Sequence, residues 1–210
     1  MLQLSYSSLN LLHTCPHNWI NKQCQIPPEE KPEWAEGKHC HRLMQDHVSG
    51  KKLHKYLKHI KYKFPIVEQV DFDPRCKFED IFRMDGKDYK IIGFYDGRTK
   101  DFKRLLEGKF SFSPWSLSKF QKSMQRKIYA WSNVNFEEAV LITGQRDPEL
   151  WKDDPPKVYK VPMTQQDQDE AIVWIREGIH IFESGNFTSD LVDGKCVDRW
   201  CYWGQNCQFK

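Results

Sequence analysis

The stretch Tyr89–Lys109 reads YKIIGFYDGRTKDFKRLLEGK, and the rest of the chain is organised around it. Two apolar-rich runs flank a polar tip at Gly97-Arg98-Thr99-Lys100-Asp101. That pattern predicts two antiparallel strands joined by a tight connection. Asp96 lies near the end of the first run, and Glu107 and Lys109 near the end of the second. Side chains in a strand alternate faces, so Glu107 and Lys109 share a side and can face Asp96 on the neighbouring strand. Two carboxylates suit a hard divalent cation, and a lysine beside them can manage a water's proton.

The bulk composition frames this site. With 210 residues, 39% hydrophobic and 29% charged, the chain has enough apolar surface for one folded domain and is too apolar for wholesale disorder. The net charge of +3 says little about partners, but its distribution says more. Lys100, Lys103, Arg104, Lys109, Lys119, Lys122, Arg126 and Lys127 stand against Asp101 and Glu107. Such a basic excess is often only a solvated face; around an acidic pair it suits a polyanionic substrate. No apolar run approaches the roughly 18 residues of a membrane helix. The N-terminus lacks the basic start and apolar stretch of a signal peptide. The expected location is the cytoplasm (a host's cytoplasm if the protein is viral), with no membrane partner. Seven cysteines in that compartment need an account other than structural disulfides.

Along the chain, Ser7 or Ser8 is the expected N-cap of a first helix, and Pro16 starts another helical turn. Residues 34–48 read as a helix with Gly37 and His41 four apart on one face. Residues 51–60 read as a shorter basic helix. From Phe64 the pattern turns to strands, with Asp85-Gly86 a strong two-residue hairpin signal. Residues 117–131 form a helix in this reading, with Gln125 and Tyr129 four apart. Strands over 138–143 and 158–161 and an amphipathic helix over 164–182 follow. The expected fold is α+β, a central mixed sheet flanked by helices. It forms a single domain with N-terminal helices (1–63), a core (64–183) and a cysteine-containing tail (184–210).

Gly37-x-x-x-His41, Gly93-Phe94-Tyr95-Asp96, Glu107-Gly108-Lys109 and Gln125-x-x-x-Tyr129 occur in that order. This set resembles the PD-(D/E)XK nuclease superfamily, specifically its RecB-type branch. That branch includes the RecB and AddB nuclease domains, CRISPR spacer-acquisition nucleases and small phage exonucleases. The Ser5-x-Ser7-x-Leu9 start followed by Cys15-Pro16 is similar to the branch's first segment, more loosely. The resemblance implies a restriction-endonuclease-like core. Asp96 and Glu107 would be metal ligands, with His41 and the backbone carbonyl of Gly108 completing the set around manganese or magnesium. Lys109 would orient or deprotonate the attacking water. Gln125 and Tyr129 would hold the site and the DNA end. Lys119, Lys122, Arg126 and Lys127 are the candidate DNA-binding side chains, with Trp115, Phe120 and Trp131 available for stacking. Taken singly, each motif has a bland reading as surface ion pair, turn residue or core histidine.

Some RecB-type nucleases also carry a four-iron four-sulfur cluster on one upstream and three downstream cysteines. Cys15, Cys196, Cys201 and Cys207 resemble that set. Cys201 and Cys207 keep the family's gap of five residues, but Asp198 stands where the preceding cysteine is expected. A 4Fe-4S cluster, zinc, and cysteines with no metal all stay open. Cys24, Cys40 and Cys76 read as ordinary small residues.

The resulting expectation is a metal-dependent DNA nuclease. It would be an exonuclease on DNA ends or single strands, serving recombination, repair or phage DNA processing. A homo-oligomer or a recombination or repair partner is compatible with it. The alternatives are a catalytically silent nucleic-acid-binding module on the same fold and a restriction-type endonuclease.

Overall fold

The computed structural model describes residues 2–26, 32–68 and 74–185. In chain order its elements are β1 (Leu2–Ser5), α1 (Tyr6–Thr14), α2 (Pro16–Gln23), α3 (Pro32–Ser49), β2 (Ile66–Val67), β3 (Lys77–Met84) and β4 (Lys87–Phe94), then β5 (Gly97–Arg98), β6 (Arg104–Phe110), α4 (Leu117–Gln121), α5 (Met124–Ser132), β7 (Glu138–Gly144), β8 (Lys157–Pro162) and α6 (Gln165–Ser184). The fold is α+β, with mixed sheets flanked by helices. One sheet has the order β1-β4-β3 and the other β2-β5-β6-β7-β8. The chain divides into two compact units. One comprises Met1–Lys31, Ile81–Ile92 and Ile172–Lys210, and the other Pro32–Asp80 and Gly93–Ala171. Among the described residues, no helix is long and apolar enough to cross a membrane.

In the first unit, β1 runs parallel to β4, with Leu2 opposite Tyr89 and Ser5 opposite Ile92. Four residues are too few to show an alternation, which is why the sequence does not announce this strand. The cap of α1 is Ser5, ahead of the expected Ser7 or Ser8. Its hydroxyl accepts from the Ser8 N–H at 3.2 Å, satisfying a donor the helix leaves open. Pro16 occupies the first turn of α2, where its missing N–H costs nothing. Asp85 and Gly86 have φ of 50° and 74°, the left-handed pair that a two-residue hairpin between β3 and β4 requires.

The second unit holds the larger core. Cys40, Met44 and Val48 of α3 recur every four residues and pack with Leu57, Ile60, Phe64, Leu106, Val140, Ile142 and Trp151. Each aliphatic side chain buried this way contributes about 1.5–3 kcal/mol. β6 and β7 are parallel, and β7 is buried from Ala139 to Gly144, the continuous pattern of a strand covered on both faces. β5 and β8 are antiparallel to their neighbours.

Three local expectations change. The apolar run of β4 does not pair with β6. The chain leaves β4 at Tyr95–Asp96, and only Gly97–Arg98 pairs with β6. Tyr95 drives that bend: its N–H donates to the Cys76 carbonyl at 2.9 Å, and its ring is buried against Phe78, Tyr129 and Phe136. The basic helix over 51–60 reduces to a single 3-10 turn, Lys55–Leu57. There His54 N–H donates to His47 Nδ1 at 3.2 Å, and Leu57 and Ile60 both enter the core. The helix over 117–131 is two helices, α4 and α5. Arg126 Nη2 donates to the Gln121 carbonyl at 2.9 Å, satisfying an acceptor that the break leaves without its helical partner.

Candidate active site

All the candidate catalytic side chains lie in the second unit. β6 places Glu107 and Lys109 on one face, and Lys109 Nζ stands 2.5 Å from Glu107 Oε1. Asp96 sits at the bend before β5. Its Oδ2 accepts from the Gly108 N–H at 2.6 Å. Its carbonyl accepts from Gln45 Nε2 at 3.1 Å and from the Glu68 N–H at 3.0 Å. His41, on α3, brings Nε2 to 2.9 Å from Asp96 Oδ2. The approach of α3 to β6 depends on Gly108: a Cβ there would lie 2.7 Å from both His41 Cδ2 and Met44 Cε, closer than side chains pack. Gly37, His41 and Gln45 recur every four residues along α3. His41 and Gln45 bond Asp96, and a Cβ at Gly37 would touch the Phe110 carbonyl at 3.5 Å.

A hydrogen-bonded chain orders the other side of Lys109. Lys109 Nζ donates to Gln125 Oε1 at 2.9 Å, Gln125 Nε2 donates to Tyr129 Oη at 2.8 Å, and Tyr129 O–H donates to the Phe94 carbonyl at 2.8 Å. The direction of this chain assigns the Gln125 amide. Its oxygen faces the lysine and its nitrogen the tyrosine. Phe94 lies two residues before Asp96, so the chain ties α5 back to the bend that carries Asp96.

The electrostatics follow from burying two carboxylates together. Glu107 is only 3% exposed. Burial and the charge on Asp96 push its carboxyl up to about 7, against the pull of Lys109. Burial alone would raise Asp96 too, but His41, Lys109 and the Gly108 N–H together hold it below the usual carboxylate value. His41 is the counterpart: burial disfavours its charge, and Asp96 overcomes that and raises it. Two close carboxylates split in this way because both cannot stay ionised cheaply. Glu68 is a further acid, raised to about 7 by burial and by Asp96.

The donor types gathered here, carboxylate oxygens and one imidazole, are ones that could hold a divalent cation. Neither Glu107 oxygen nor His41 Nε2 has a hydrogen bond of regular geometry among the described residues, although all three atoms are buried. The contacts to Lys109 and Asp96 are ion pairs by distance rather than well-directed hydrogen bonds. Buried carboxylate oxygens without donors are costly unless something binds them, and an imidazole beside carboxylate oxygens suits manganese better than magnesium. As placed, no three His, Cys, Asp or Glu side chains converge into a ready cage among the described residues. Glu107 instead turns to Lys109.

The expected basic surface is narrower than four residues. Lys119 and Lys122 are exposed. Arg126 is buried, and its guanidinium grips Asp167 through Nη1 at 2.7 Å and Nη2 at 2.5 Å. It is a structural residue, because a guanidinium committed to a buried carboxylate cannot track a backbone. Lys127 pairs with Glu170. Phe120 is buried and unavailable for stacking, whereas Trp115 and Trp131 are half-buried. In the first unit, Cys15 is buried where α1 gives way to α2. Cys196, Cys201 and Cys207 lie outside the described residues. Cys40 and Cys76 are core residues, and burial pushes the Cys40 thiol up to about 12.

Gln45 and Glu68 join the site without being expected from sequence. Gln45 continues the Gly37 and His41 spacing by one more turn, a signal that is legible. Glu68 has no local signal. It arrives through the pairing of β2 with β5, in which Val67 lies opposite Gly97.

The sequence matches no family profile and no curated protein. Among solved structures, the chain is similar to the one described as "Crystal structure of SSO0001". The likeness covers 86% of this chain and 77% of that one, with a TM-score of 0.57 and 18% identity. Similarity at that identity is a likeness of fold.

Proposed function

We infer that this chain is a divalent-metal-dependent deoxyribonuclease acting on DNA ends or single strands, with the restriction-endonuclease-like core of the RecB-type branch. One observation carries the reading. His41, Asp96, Glu107 and Lys109, separated by up to 68 positions in sequence, meet at one place, where both Glu107 oxygens are buried without a hydrogen bond of regular geometry. A lone Glu-x-Lys on a strand is a surface ion pair; here the glutamate is buried and faces a second carboxylate.

His41 Nε2, an Asp96 oxygen, a Glu107 oxygen and the Gly108 carbonyl would hold the cation. When bound, such a cation polarises the phosphate and lowers the pKa of a coordinated water. Asp96 is already oriented by the Gly108 N–H, and its backbone by Gln45 and Glu68. As an ammonium, Lys109 Nζ would orient the attacking water's environment by donating to it; only as the neutral amine would it take the water's proton. Gln125 keeps that ammonium aimed, and Tyr129 keeps Gln125 aimed. Recombination, repair or phage DNA processing is the setting this activity suits, with Lys119 and Lys122 as contacts to the DNA backbone.

The test uses end-labelled linear and closed circular single-stranded DNA with manganese or magnesium. Loss of label from the linear strand, with the circle intact, is the expected exonuclease result. Cutting of the circle would make the enzyme an endonuclease. No cleavage of either by folded protein would remove the enzymatic reading.

A further inference from the structure

Three strands of the larger sheet line up at the candidate active site. Lys109 on β6 lies opposite Thr143 on β7, and Thr143 lies opposite Lys157 on β8. Register partners share a sheet face. Lys157 therefore leaves the sheet on the side that carries Lys109, two strand spacings or about 10 Å away. The neighbouring row on that side is Glu107, Leu141 and Tyr159. Glu107, which the cation would occupy, is the one acid in the two rows. The start of β8 is held in place. A Cβ on Gly144 would lie 3.0 Å from Pro156 Cγ, so the turn before Lys157 sits close on the end of β7. His59 Nε2 also donates to the Pro156 carbonyl at 2.8 Å.

A surface lysine is ordinary, and on an edge strand such as β8 it also discourages pairing with other chains. Its surroundings decide its meaning. Thr143, between the two lysines, is buried, and its Oγ1 accepts from the Trp115 N–H at 2.9 Å. The Lys109 and Lys119 ammoniums stand 5.4 Å and 4.6 Å from the Trp115 ring centroid. One side of the sheet thus gathers three lysines around the contact between Thr143 and Trp115. Lys109 is committed to Glu107 and Gln125. Lys157 pairs with Asp154 at 3.5 Å, with both side chains more than half exposed. Such a pair contributes little in water, so the ammonium is available to another anion. Lys160, on the same strand, is the contrasting case. Its register partner is Val140, a core residue packed with α3, and its ammonium lies 5.0 Å from the Tyr62 ring centroid. The two lysines match in charge and strand and differ in face.

We propose that Lys157 binds a backbone phosphate flanking the scissile one, and so holds the DNA strand across the end of β7. This rests on the nuclease reading and adds a substrate-positioning residue to it. Lys109 is tied to Glu107 and Gln125 at the scissile position, so a second ammonium about 10 Å along the same row meets a neighbouring phosphate. A contact of that kind carries no sequence information; it fixes register and direction, which here means a strand laid from β6 toward β8.

The test compares K157A with K160A in the full chain, two variants that lose the same charge from opposite faces of one strand. Fluorescence anisotropy with a labelled oligothymidylate, without divalent metal, reads binding. K157A is expected to bind about three- to fivefold more weakly, with a salt slope smaller by about 0.7. K160A should bind as the wild type does. With manganese, K157A should raise KM by a similar factor and leave kcat within about twofold, as a residue that positions substrate without joining the chemistry does. Thermal unfolding should be unchanged in K157A, because the side chain is exposed. Wild-type binding by K157A, or an equal loss in K160A, overturns the proposal. If the wild type cuts DNA while K157A binds normally, the nuclease reading stands and only this inference falls. A K157A binding loss in a protein that cuts nothing keeps the phosphate contact and removes the nuclease reading. If the wild type neither binds nor cuts, both fall together.

Discussion

Glu107 and Lys109 hold each other at 2.5 Å between Oε1 and Nζ, on the same face of β6. The pair keeps a buried carboxylate company while Lys109 also donates to Gln125. On the nuclease reading the two residues then divide the work: Glu107 supplies an oxygen to the cation and Lys109 handles the water's proton. K109A is expected to lower single-turnover cleavage by about 10²–10⁴-fold while leaving manganese binding measurable by calorimetry. E107A is expected to lose both. Undiminished cleavage in either variant would show that the site is misassigned.

Tyr129 is buried and links Gln125 to the Phe94 carbonyl. Y129F removes the hydroxyl and leaves both partners without it. A loss of about 1–3 kcal/mol in urea unfolding is expected. Because Gln125 then loses the bond that orients it, cleavage should fall as well, though less than in K109A. Unchanged stability would mean that water replaces the hydroxyl freely.

Gly108 is the point where α3 meets β6. G108A puts a Cβ 2.7 Å from His41 Cδ2 and from Met44 Cε. Side chains on both sides must shift, at about 1–3 kcal/mol, and the shift falls on a candidate metal ligand. Lower thermal stability together with weaker manganese binding is expected. A variant that matches wild type in both would show that α3 can retreat without cost.

Asp167 and Arg126 make a pH-dependent contribution. Burial would raise the Asp167 carboxyl, but the bonds from Arg126 and Thr164 win and hold it below its ordinary value. Its folded-state pKa is then lower than its unfolded one. The contribution is complete above the ordinary carboxylate range and is lost as pH falls through the depressed folded value. D167N leaves a buried guanidinium with no counter-charge, at a cost of about 3 kcal/mol. Chemical unfolding from neutral to acid pH should show the wild type losing stability toward D167N. Parallel curves would exclude the linkage.

Lys119 and Lys122 differ from Arg126 in the same basic stretch. K119A/K122A should weaken DNA binding uniformly across sequences and reduce the salt slope by about 1 for each phosphate the protein no longer neutralises, with no change in unfolding. R126A should instead destabilise the fold through Asp167. DNA binding of K119A/K122A that equals wild type would remove α4 from the interface.

Much of the candidate site is legible in the sequence because its parts are periodic. Glu107 and Lys109 obey the two-residue alternation of a strand, and Gly37 and His41 the four-residue recurrence of a helix. Gln125 and Tyr129 do the same on α5. Asp85-Gly86 announces its hairpin through the backbone it needs. In each case the residues that must coincide are neighbours on one element, so local geometry alone brings them together.

The remainder is decided between elements. Nothing local to Tyr89–Lys109 says that the chain abandons its first strand at Tyr95, because the cause is a ring packed against Phe78, Tyr129 and Phe136. Nothing local says that Arg126 turns inward, because its partner Asp167 lies 41 positions away. Glu68 reaches Asp96 only through the pairing of β2 with β5, and β1 exists only because β4 offers it an edge. Sequence order by itself determined which faces carry carboxylates, lysine and imidazole, since those follow from the repeat of helix and strand. Tertiary structure alone decided which faces meet and which charges are buried, since hydrophobic packing and desolvation act through space between residues distant in the chain.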